Sequence, residues 1–184
     1  MRPLRLRWYL ALATALAAGF LARAHSVAGR TAPPLDDAFI HFQYATQLAA
    51  GEPFRFAPGE ACTSGATSFL WPVLLAPAAA LGAHGVTLYA WSVVLGVVSL
   101  AGAAWLVARW ATALSDEATG GLAGLLVVAS GPLLWGAASG MEIAVAAVAT
   151  AGLLDGLERG RRPVGWALVL ALARPEGALV AGAV

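Results

Sequence analysis

Apolar runs alternate with short charged stretches along most of the 184-residue chain. Five of these runs are interpreted as membrane spans, and they lie near residues 8–24, 86–108, 118–135, 141–157 and 164–184. Residues 25–85 interrupt the pattern, because prolines and carboxylates separate two shorter apolar segments there. The pattern predicts an all-α fold, a polytopic transmembrane helical bundle whose long outer loop, 25–85, carries juxtamembrane or interfacial helices.

The composition agrees with a membrane protein. Hydrophobic residues make up 60% of the chain and charged residues 11%, with a mean hydropathy of +0.76, whereas soluble domains carry about 25% charged residues. All 11 basic residues are arginines that stand singly or beside apolar runs, which argues against nucleic-acid binding. The single cysteine, Cys62, excludes an internal disulfide and a thiol-based zinc site. We expect a multi-pass protein of the cell membrane whose partners are membrane lipids and molecules carried by lipids.

The first span has a charge bias that sets its orientation. Arg2, Arg5 and Arg7 precede it, and positive residues favour the cytoplasmic side, so the N-terminus is expected in the cytoplasm. A cleaved signal peptide is the alternative, because residues 22–24 resemble a small-x-small cleavage site. Both interpretations place the loop 25–85 at the outer face.

The same charge bias orders the later spans. The basic cluster at 159–162 is expected in the cytoplasm, which places Arg109 in the cytoplasm and His84 outside. Ser68–Leu81 is then left at the outer face as an interfacial or re-entrant helix, since it is short and contains two prolines. If Ser68–Leu81 does cross the bilayer, every later assignment inverts.

Asp36 and Asp37 open the only long polar stretch of the sequence. They precede a predicted helix, Ala38–Ala50, so one of them is suited to cap that helix and to interact with its dipole. The other carboxylate is then free to face a cavity, where burial and the neighbouring charge would raise its pKa toward that of a general base. His41 lies four residues after Asp37 on the same helix face, and these three side chains also suit a divalent cation.

Charged residues also mark two later spans. Glu142 begins the fourth span, where the helix dipole favours an acid. Arg174 and Glu176 interrupt the last apolar run after ten residues, so this charged break is expected at membrane depth, facing the bundle or a water-filled cleft. A guanidinium there suits a phosphate, and simple pairing of Arg174 with Glu176 is the alternative. Because the chain ends inside this apolar run, we interpret it as the front part of a larger protein, or as a short reading frame derived from one.

Two pairs of glycines are spaced four residues apart inside predicted spans, Gly120 with Gly124 and Gly152 with Gly156. This spacing puts both glycines of a pair on one face of the helix and predicts close packing between spans. The glycines indicate scaffold and no chemistry.

Ordered motifs along the chain resemble those of polytopic GT-C glycosyltransferases. They are Leu35-Asp36-Asp37-Ala38-Phe39-Ile40, Phe42-Gln43-Tyr44-Ala45, Gly51, Phe56-Ala57-Pro58-Gly59-Glu60, Thr67-Ser68-Phe69-Leu70-Trp71, Ser139-Gly140-Met141-Glu142 and Arg174-Pro175-Glu176-Gly177. The likeness covers nearly the whole chain, and it is greatest to arabinofuranosyltransferase-like and dolichyl-phosphate-mannose mannosyltransferase-like enzymes. One departure is Gln43, where many relatives carry an arginine.

The resemblance implies that residues 1–184 are the N-terminal part of a GT-C-like transmembrane domain. Such an enzyme transfers a sugar from a polyprenyl-phosphate donor to a hydroxyl of a glycan or lipid acceptor at the outer face, with inversion at the anomeric carbon. Asp36 or Asp37 would take the acceptor proton, and Arg174 would neutralise the leaving phosphate. The candidate contacts to the donor phosphate or the substrate are Arg174, Glu176, Glu142 and His41. No cofactor is implied beyond the possible divalent cation at Asp36, Asp37 and His41.

Two other interpretations are open from the sequence. A transporter-like or non-catalytic lipid-binding membrane module would use Arg174 and Glu176 along a translocation path, and the discontinuous last span is compatible with it. A catalytically inert remnant of an enzyme is the other interpretation.

Overall fold

The computed structural model describes residues 5–63 and 65–183, and within these ranges the chain forms helices and no strand. The all-α prediction is confirmed. The helices are α1 (Leu6–Ala28), α2 (Asp37–Ala49), α3 (Leu70–Ala80), α4 (Val86–Leu114), α5 (Glu117–Val128), α6 (Gly131–Ala138), α7 (Ile143–Glu158), α8 (Val164–Ala173) and α9 (Gly177–Gly182).

Two of the helices in the described ranges, α1 with 23 residues and α4 with 29, are long and apolar enough to cross a membrane. This agrees with the prediction of a membrane protein with transmembrane helices. The pair α5 and α6 becomes a third candidate when it is taken as one span bent by 51°. Of the shorter helices, α7 has 16 residues and α8 has 10, so length alone does not make either of them a span.

The region predicted as a single span at 118–135 contains a break, because two helices that differ in direction by 51° occupy it. α5 ends at Val128, since Pro132 in the first turn of α6 has no N–H to donate to the Val128 carbonyl. The predicted span at 164–184 is also divided, and here the sequence indicated the break. Residues 174–176 separate α8 from α9.

α4 is the central helix of the bundle, and α1, α5, α6 and α7 pack against it. Its face toward α5 carries the small, fully buried side chains of Ala104 and Ala108. A β-carbon added to Gly120 would lie 2.5 Å from the Ala108 carbonyl oxygen, and one added to Gly124 would lie 2.8 Å from that of Ala104. The close packing predicted from this pair of glycines is therefore confirmed.

The second glycine pair lies between α7 and α8. A β-carbon added to Gly156 would lie 2.7 Å from the Pro163 Cβ atom, and Gly152 lies against the Trp166 ring. Because neither position has room for a side chain, the start of α8 packs directly on the backbone of α7. The prediction of close packing is confirmed for this pair as well.

The two ends of the bundle differ in charge. At one end, which we call the basic end, Asp155 of α7 contacts Arg109 and Arg159, with N–O distances of 3.2 and 3.0 Å. At the other end, which we call the acidic end, Glu142 contacts Arg174 at 3.2 Å. Glu142 and Asp155 lie at opposite ends of α7, about 20 Å apart at the usual helical rise.

α1 runs in the opposite direction to α4. Tyr9, near its start, lies at Gly124 beside the Ala104 carbonyl of α4, in the half of α4 that ends at the basic end, whereas Leu21 packs on the cluster around Phe42 at the acidic end. The start of α1, which carries Arg7, therefore lies toward the basic end.

α2 and α3 cover the acidic end. Their buried side chains join those of α4, α7 and α8 in one apolar cluster that includes Phe42, Trp71, Leu88, Met141 and Ala173. α2 matches the helix predicted at Ala38–Ala50 to within one residue at each end. α3 has 11 residues and is about 16 Å long, too short to cross a hydrocarbon core of about 30 Å by itself.

Replacing Gly124 by Ala is expected to destabilise the bundle by about 1–3 kcal/mol, because the new methyl group would press on the Ala104 carbonyl and on Tyr9. Gly121→Ala is the matched control on the same helix, since no atom beyond the backbone of that helix and the two neighbouring residues lies within 4 Å of a β-carbon added there. The stability of this control variant changes only through the higher helix propensity of Ala relative to Gly. Thermal unfolding in detergent measures both variants, and equal stability of the two would contradict the packing of α5 on α4.

Candidate functional site

Glu142 is a buried carboxylate at the centre of the acidic end. Its side chain is 2% exposed, and it directly precedes α7, where the free N–H groups and the dipole of the helix favour a negative charge. The turn before it depends on Gly140, which has a φ of 85° and whose added β-carbon would lie 3.0 Å from the Ala38 methyl group. A larger residue at Gly140 would therefore push α2 away from Glu142.

Two aromatic side chains hold this turn in place. The Trp71 indole Nε1 donates to the Gly140 carbonyl oxygen at 2.8 Å, and the Tyr89 hydroxyl donates to the Ala138 carbonyl oxygen at 2.7 Å. Both bonds are buried, so carbonyl groups at the end of α6 are satisfied by side chains instead of water. In this way α3 and α4 fix the position of the turn that leads to Glu142 and to the start of α7.

Arg174 extends from the break between α8 and α9. Its backbone leaves the helix with a φ of −147° and a ψ of 135°, because Pro175 disfavours a helical conformation of the residue before it. The guanidinium joins two carboxylates: Nη1 donates to Glu142 Oε1 at 3.2 Å, and Nε donates to Glu176 Oε1 at 2.6 Å. The side chains of Arg174 and Glu176 are 39% and 61% exposed, so this contact links a buried acid to the surface.

His41 of α2 is a second titratable neighbour of Glu142. Its Nε2 lies 3.6 Å from Glu142 Oε2, with both side chains 2% exposed, and this distance exceeds that of a hydrogen bond. Within the described residues, neither His41 Nδ1 nor Glu142 Oε2 has a hydrogen-bond partner. Burial lowers the pKa of His41, while the charges of Glu142 and Asp37 act in the opposite direction. Burial is the larger influence, so the neutral imidazole is favoured.

Asp36 and Asp37 lie at the start of α2, as predicted, but both are exposed. Asp36 occupies the N-cap position without a side-chain hydrogen bond to the helix, so the expected capping bond is absent. The expected burial of one aspartate is also absent, because the buried face of α2 carries His41 and Phe42. Asp37 lies one helical turn before His41 and acts on the cluster through its charge.

The aspartates and His41 do not form a metal site in this conformation. Across residues 5–63 and 65–183, no group of three or more His, Cys, Asp or Glu side chains is placed to hold a metal ion. His41 faces the interior of the bundle, whereas Asp36 and Asp37 are exposed. The divalent cation stays a prediction.

An apolar cavity of about 270 Å³ lies near this cluster. α2, α3 and the loop between them form most of its wall, and Leu172, two residues before Arg174, forms part of it. Large apolar side chains of the lining are more than half exposed, among them Phe54 at 53%, Phe69 at 58% and Val73 at 53%. The cavity therefore joins an exposed apolar surface to the neighbourhood of the guanidinium.

The loop that forms one wall of the cavity is tied back to α2. The Tyr44 hydroxyl shares a hydrogen bond with the Thr63 hydroxyl and accepts one from the Gly65 N–H at 3.0 Å. The Thr63 N–H donates to the Phe54 carbonyl at 2.7 Å, which closes the loop on itself. These bonds give the wall a defined position beside Tyr44.

Sequence reasoning identified Glu142, Arg174, Glu176 and His41, but it missed the residues that position them. Trp71 and Tyr89 act through bonds to backbone atoms 69 and 49 residues away, which no local pattern reveals. Asp155 was also missed, although a signal existed. A single acid inside an apolar run requires a partner, and basic residues follow it closely.

A scan against protein-family models and searches of curated proteins and solved structures found no match for this chain. The likeness to GT-C enzymes therefore depends on the sequence motifs alone, and the function of the cluster is argued from its chemistry.

The burial of His41 predicts that stability depends on pH. Because the pKa of folded His41 is lowered from its ordinary value of 6.5, its contribution is fully present above that value and is lost as the pH falls through the lowered folded pKa. A His41→Gln variant should therefore lose less stability on acidification than the wild type does. His84→Gln, which removes an exposed histidine, should behave like the wild type.

Thermal unfolding across the range in which histidine ordinarily titrates, about pH 8 to 5, measures this difference. Parallel pH profiles of the wild type and the His41→Gln variant would contradict it.

Proposed function

We propose that this chain is part of a membrane glycosyltransferase that transfers a sugar from a polyprenyl-phosphate donor to a hydroxyl of a glycan or lipid acceptor at the outer face. The supporting observation is that three distant motifs meet at the acidic end. Glu142 contacts His41 on one side and Arg174 on the other, and Asp37 lies one turn before His41. Buried charges are costly in an apolar bundle and usually mark a functional site.

The charges at the two ends of the bundle support an orientation for the proposed enzyme. Arg7, Arg109 and Arg159 lie toward the basic end, and the positive-inside rule favours the cytoplasm for such a cluster. The acidic end then lies at the outer face, with α2 and α3 as juxtamembrane helices. Taking α5 and α6 as one bent span, and α8 and α9 as a broken one, gives a multi-pass bundle.

In the proposed reaction, Arg174 binds the phosphate of the donor. Glu142 accepts a hydrogen bond from Nη1, and Glu176 accepts one from Nε. A phosphate that binds the guanidinium through Nε therefore has to displace Glu176. Because the Glu176 side chain is 61% exposed, it has solvent to move into, and a phosphate oxygen makes the same kind of charge-assisted hydrogen bond in its place.

Asp36 or Asp37 acts as the general base of the proposed step. The acceptor oxygen attacks the anomeric carbon from the side opposite the phosphate, and the acceptor proton passes to the carboxylate. The bond between the anomeric carbon and the phosphate oxygen breaks, and polyprenyl phosphate leaves with the electron pair. Arg174 stabilises the charge that develops on this leaving group, and the configuration at the anomeric carbon is inverted.

The break between α8 and α9 favours a second candidate function. Discontinuous helices form the substrate sites of many transporters, and a lipid-binding or transporter-like module would use Arg174 and Glu176 without sugar transfer. The two functions differ in one measurable respect, because a transporter moves its substrate without forming a glycosidic bond.

Replacing Asp36 and Asp37 together by Asn should abolish sugar transfer, because an amide does not accept the proton. The exposure of both side chains means that the fold should be retained. The assay uses the protein in liposomes with farnesyl-phosphoryl arabinofuranose or farnesyl-phosphoryl mannose as donor, and mass spectrometry detects the glycosylated acceptor. Asp116→Asn is the matched control, since Asp116 caps α5 through the Thr119 N–H at 2.7 Å and Asn caps helices as well.

Normal transfer by the double aspartate variant would refute the proposed base. Movement of the donor lipid between leaflets by the wild type, without any glycosylated product, would instead favour the transporter-like module.

Replacing Glu176 by Gln should tighten the binding of farnesyl phosphate, because the amide neither repels the phosphate nor competes strongly for Arg174 Nε. Arg174→Lys should weaken it by about tenfold, the value of one charge-assisted hydrogen bond. Isothermal titration in detergent measures both effects without turnover. Glu52→Gln is the control, since this half-buried carboxylate interacts with Arg55 at 3.7 Å and lies outside the cluster. Weaker binding by the Glu176→Gln variant would mean that Glu176 supports Arg174 instead of competing for it.

A further inference from the structure

A second cavity lies at the basic end, away from the cluster around Glu142. It has a volume of about 460 Å³ and is bounded by the end of α7, the turn after it, α8 and the end of α9. Most of its lining is apolar, and this part includes Leu157, Val164, Ala167, Leu168 and Ala171. Val164 and Leu168 are 59% and 58% exposed, so this wall presents hydrocarbon to its surroundings.

Arg161 and Arg162 also line this cavity. Both are exposed, and neither has an ion-pair or hydrogen-bond partner for its side chain in the part of the chain that the structure describes. The buried acid at this end, Asp155, is already shared by Arg109 and Arg159. The two guanidinium groups at the cavity are therefore left without a counter-charge.

We propose that this cavity binds one anionic phospholipid, with its phosphate at Arg161 and Arg162 and an acyl chain along the apolar wall. Guanidinium groups make charge-assisted hydrogen bonds to phosphate oxygens, and basic pockets between transmembrane helices accept acidic lipid headgroups. Residues 158–162 contain three arginines and one glutamate. A headgroup with net negative charge is therefore favoured over a zwitterionic one, whose ammonium group the arginines repel.

The apolar wall distinguishes a lipid from a free anion. Inorganic phosphate would use the two arginines and leave Val164 and Leu168 exposed. Covering such surface with hydrocarbon contributes about 25 cal/mol per Å² when water is the alternative. Because charge and apolar surface adjoin in one cavity, the ligand has to carry both features.

Native mass spectrometry of the detergent-purified full chain tests the site with dioleoyl phosphatidylglycerol, dioleoyl phosphatidylcholine and inorganic phosphate as probes. Phosphatidylglycerol should bind with one molecule per chain, and phosphatidylcholine should bind much more weakly. Replacing Arg161 and Arg162 by Gln should weaken the binding of phosphatidylglycerol by about 30-fold, as expected for two surface arginines. Arg23→Gln with Arg30→Gln is the matched control, because it removes the same charge outside the cavity lining, and it should bind like the wild type.

A third variant tests the apolar wall. Leu168→Ser changes an exposed side chain, so the fold should be retained, and it should weaken the binding of phosphatidylglycerol several-fold. Equal binding of phosphatidylcholine, or unchanged binding by the Arg161 and Arg162 double variant, would overturn the proposal. Competition by inorganic phosphate at equal affinity, with no effect of Leu168→Ser, would assign the site to a free anion and overturn it as well. Sugar transfer is not measured, so failure here leaves the proposed transferase unaffected.

Discussion

The buried carboxylate of Glu142 is the constraint on which the acidic end depends. A buried carboxylate has lost its water, and removing the partner of such a group costs about 3–5 kcal/mol. Among the described residues, Arg174 is the cation that bonds to it, so the end of α8 has to stay against the start of α7. The helix break at Pro175 makes this possible, because it turns the backbone of Arg174 out of the helix. The break is therefore part of the scaffold as well as of the candidate site.

The basic end also depends on a buried carboxylate, and here two arginines share it. Asp155 is 8% exposed and lies between Arg109 and Arg159. Between the two ends the helices meet through small residues, such as Gly124 against Ala104. Lipid chains are as apolar as the side chains they surround, so close packing and polar contacts have to hold such helices together. The Arg109–Asp155 ion pair holds α4 against α7 at the basic end, and the Glu142–Arg174 pair holds the end of α8 against the start of α7 at the acidic end. Close backbone contacts hold α5 on α4 between the two ends.

Features that depend on nearby residues could be predicted from the sequence, and features that depend on distant partners could not. α2 and the break at residues 174–176 follow from local patterns, and the glycine spacing correctly indicated close packing. The exposure of Asp36 and Asp37 depends on how α2 is rotated, and that rotation is set by the cluster of Phe42 with side chains from four other helices. The sequence identified Glu142 and Arg174 as separate candidates. They are 32 residues apart, so only the folded structure shows that they are in contact.

The two proposed anion sites differ in how they select a ligand. At the basic end, Arg161 and Arg162 lack a counter-charge within the described residues, so an acidic group is attracted without having to displace another. At the acidic end, Arg174 is shared by two carboxylates, so an incoming phosphate has to replace Glu176 and gains little from charge alone.

A ligand of the proposed transferase therefore needs another source of binding energy. The apolar cavity that includes Leu172 offers one, since each buried CH₂ contributes about 0.8 kcal/mol. On this argument a phosphate carried by a lipid chain is accepted where free phosphate is not.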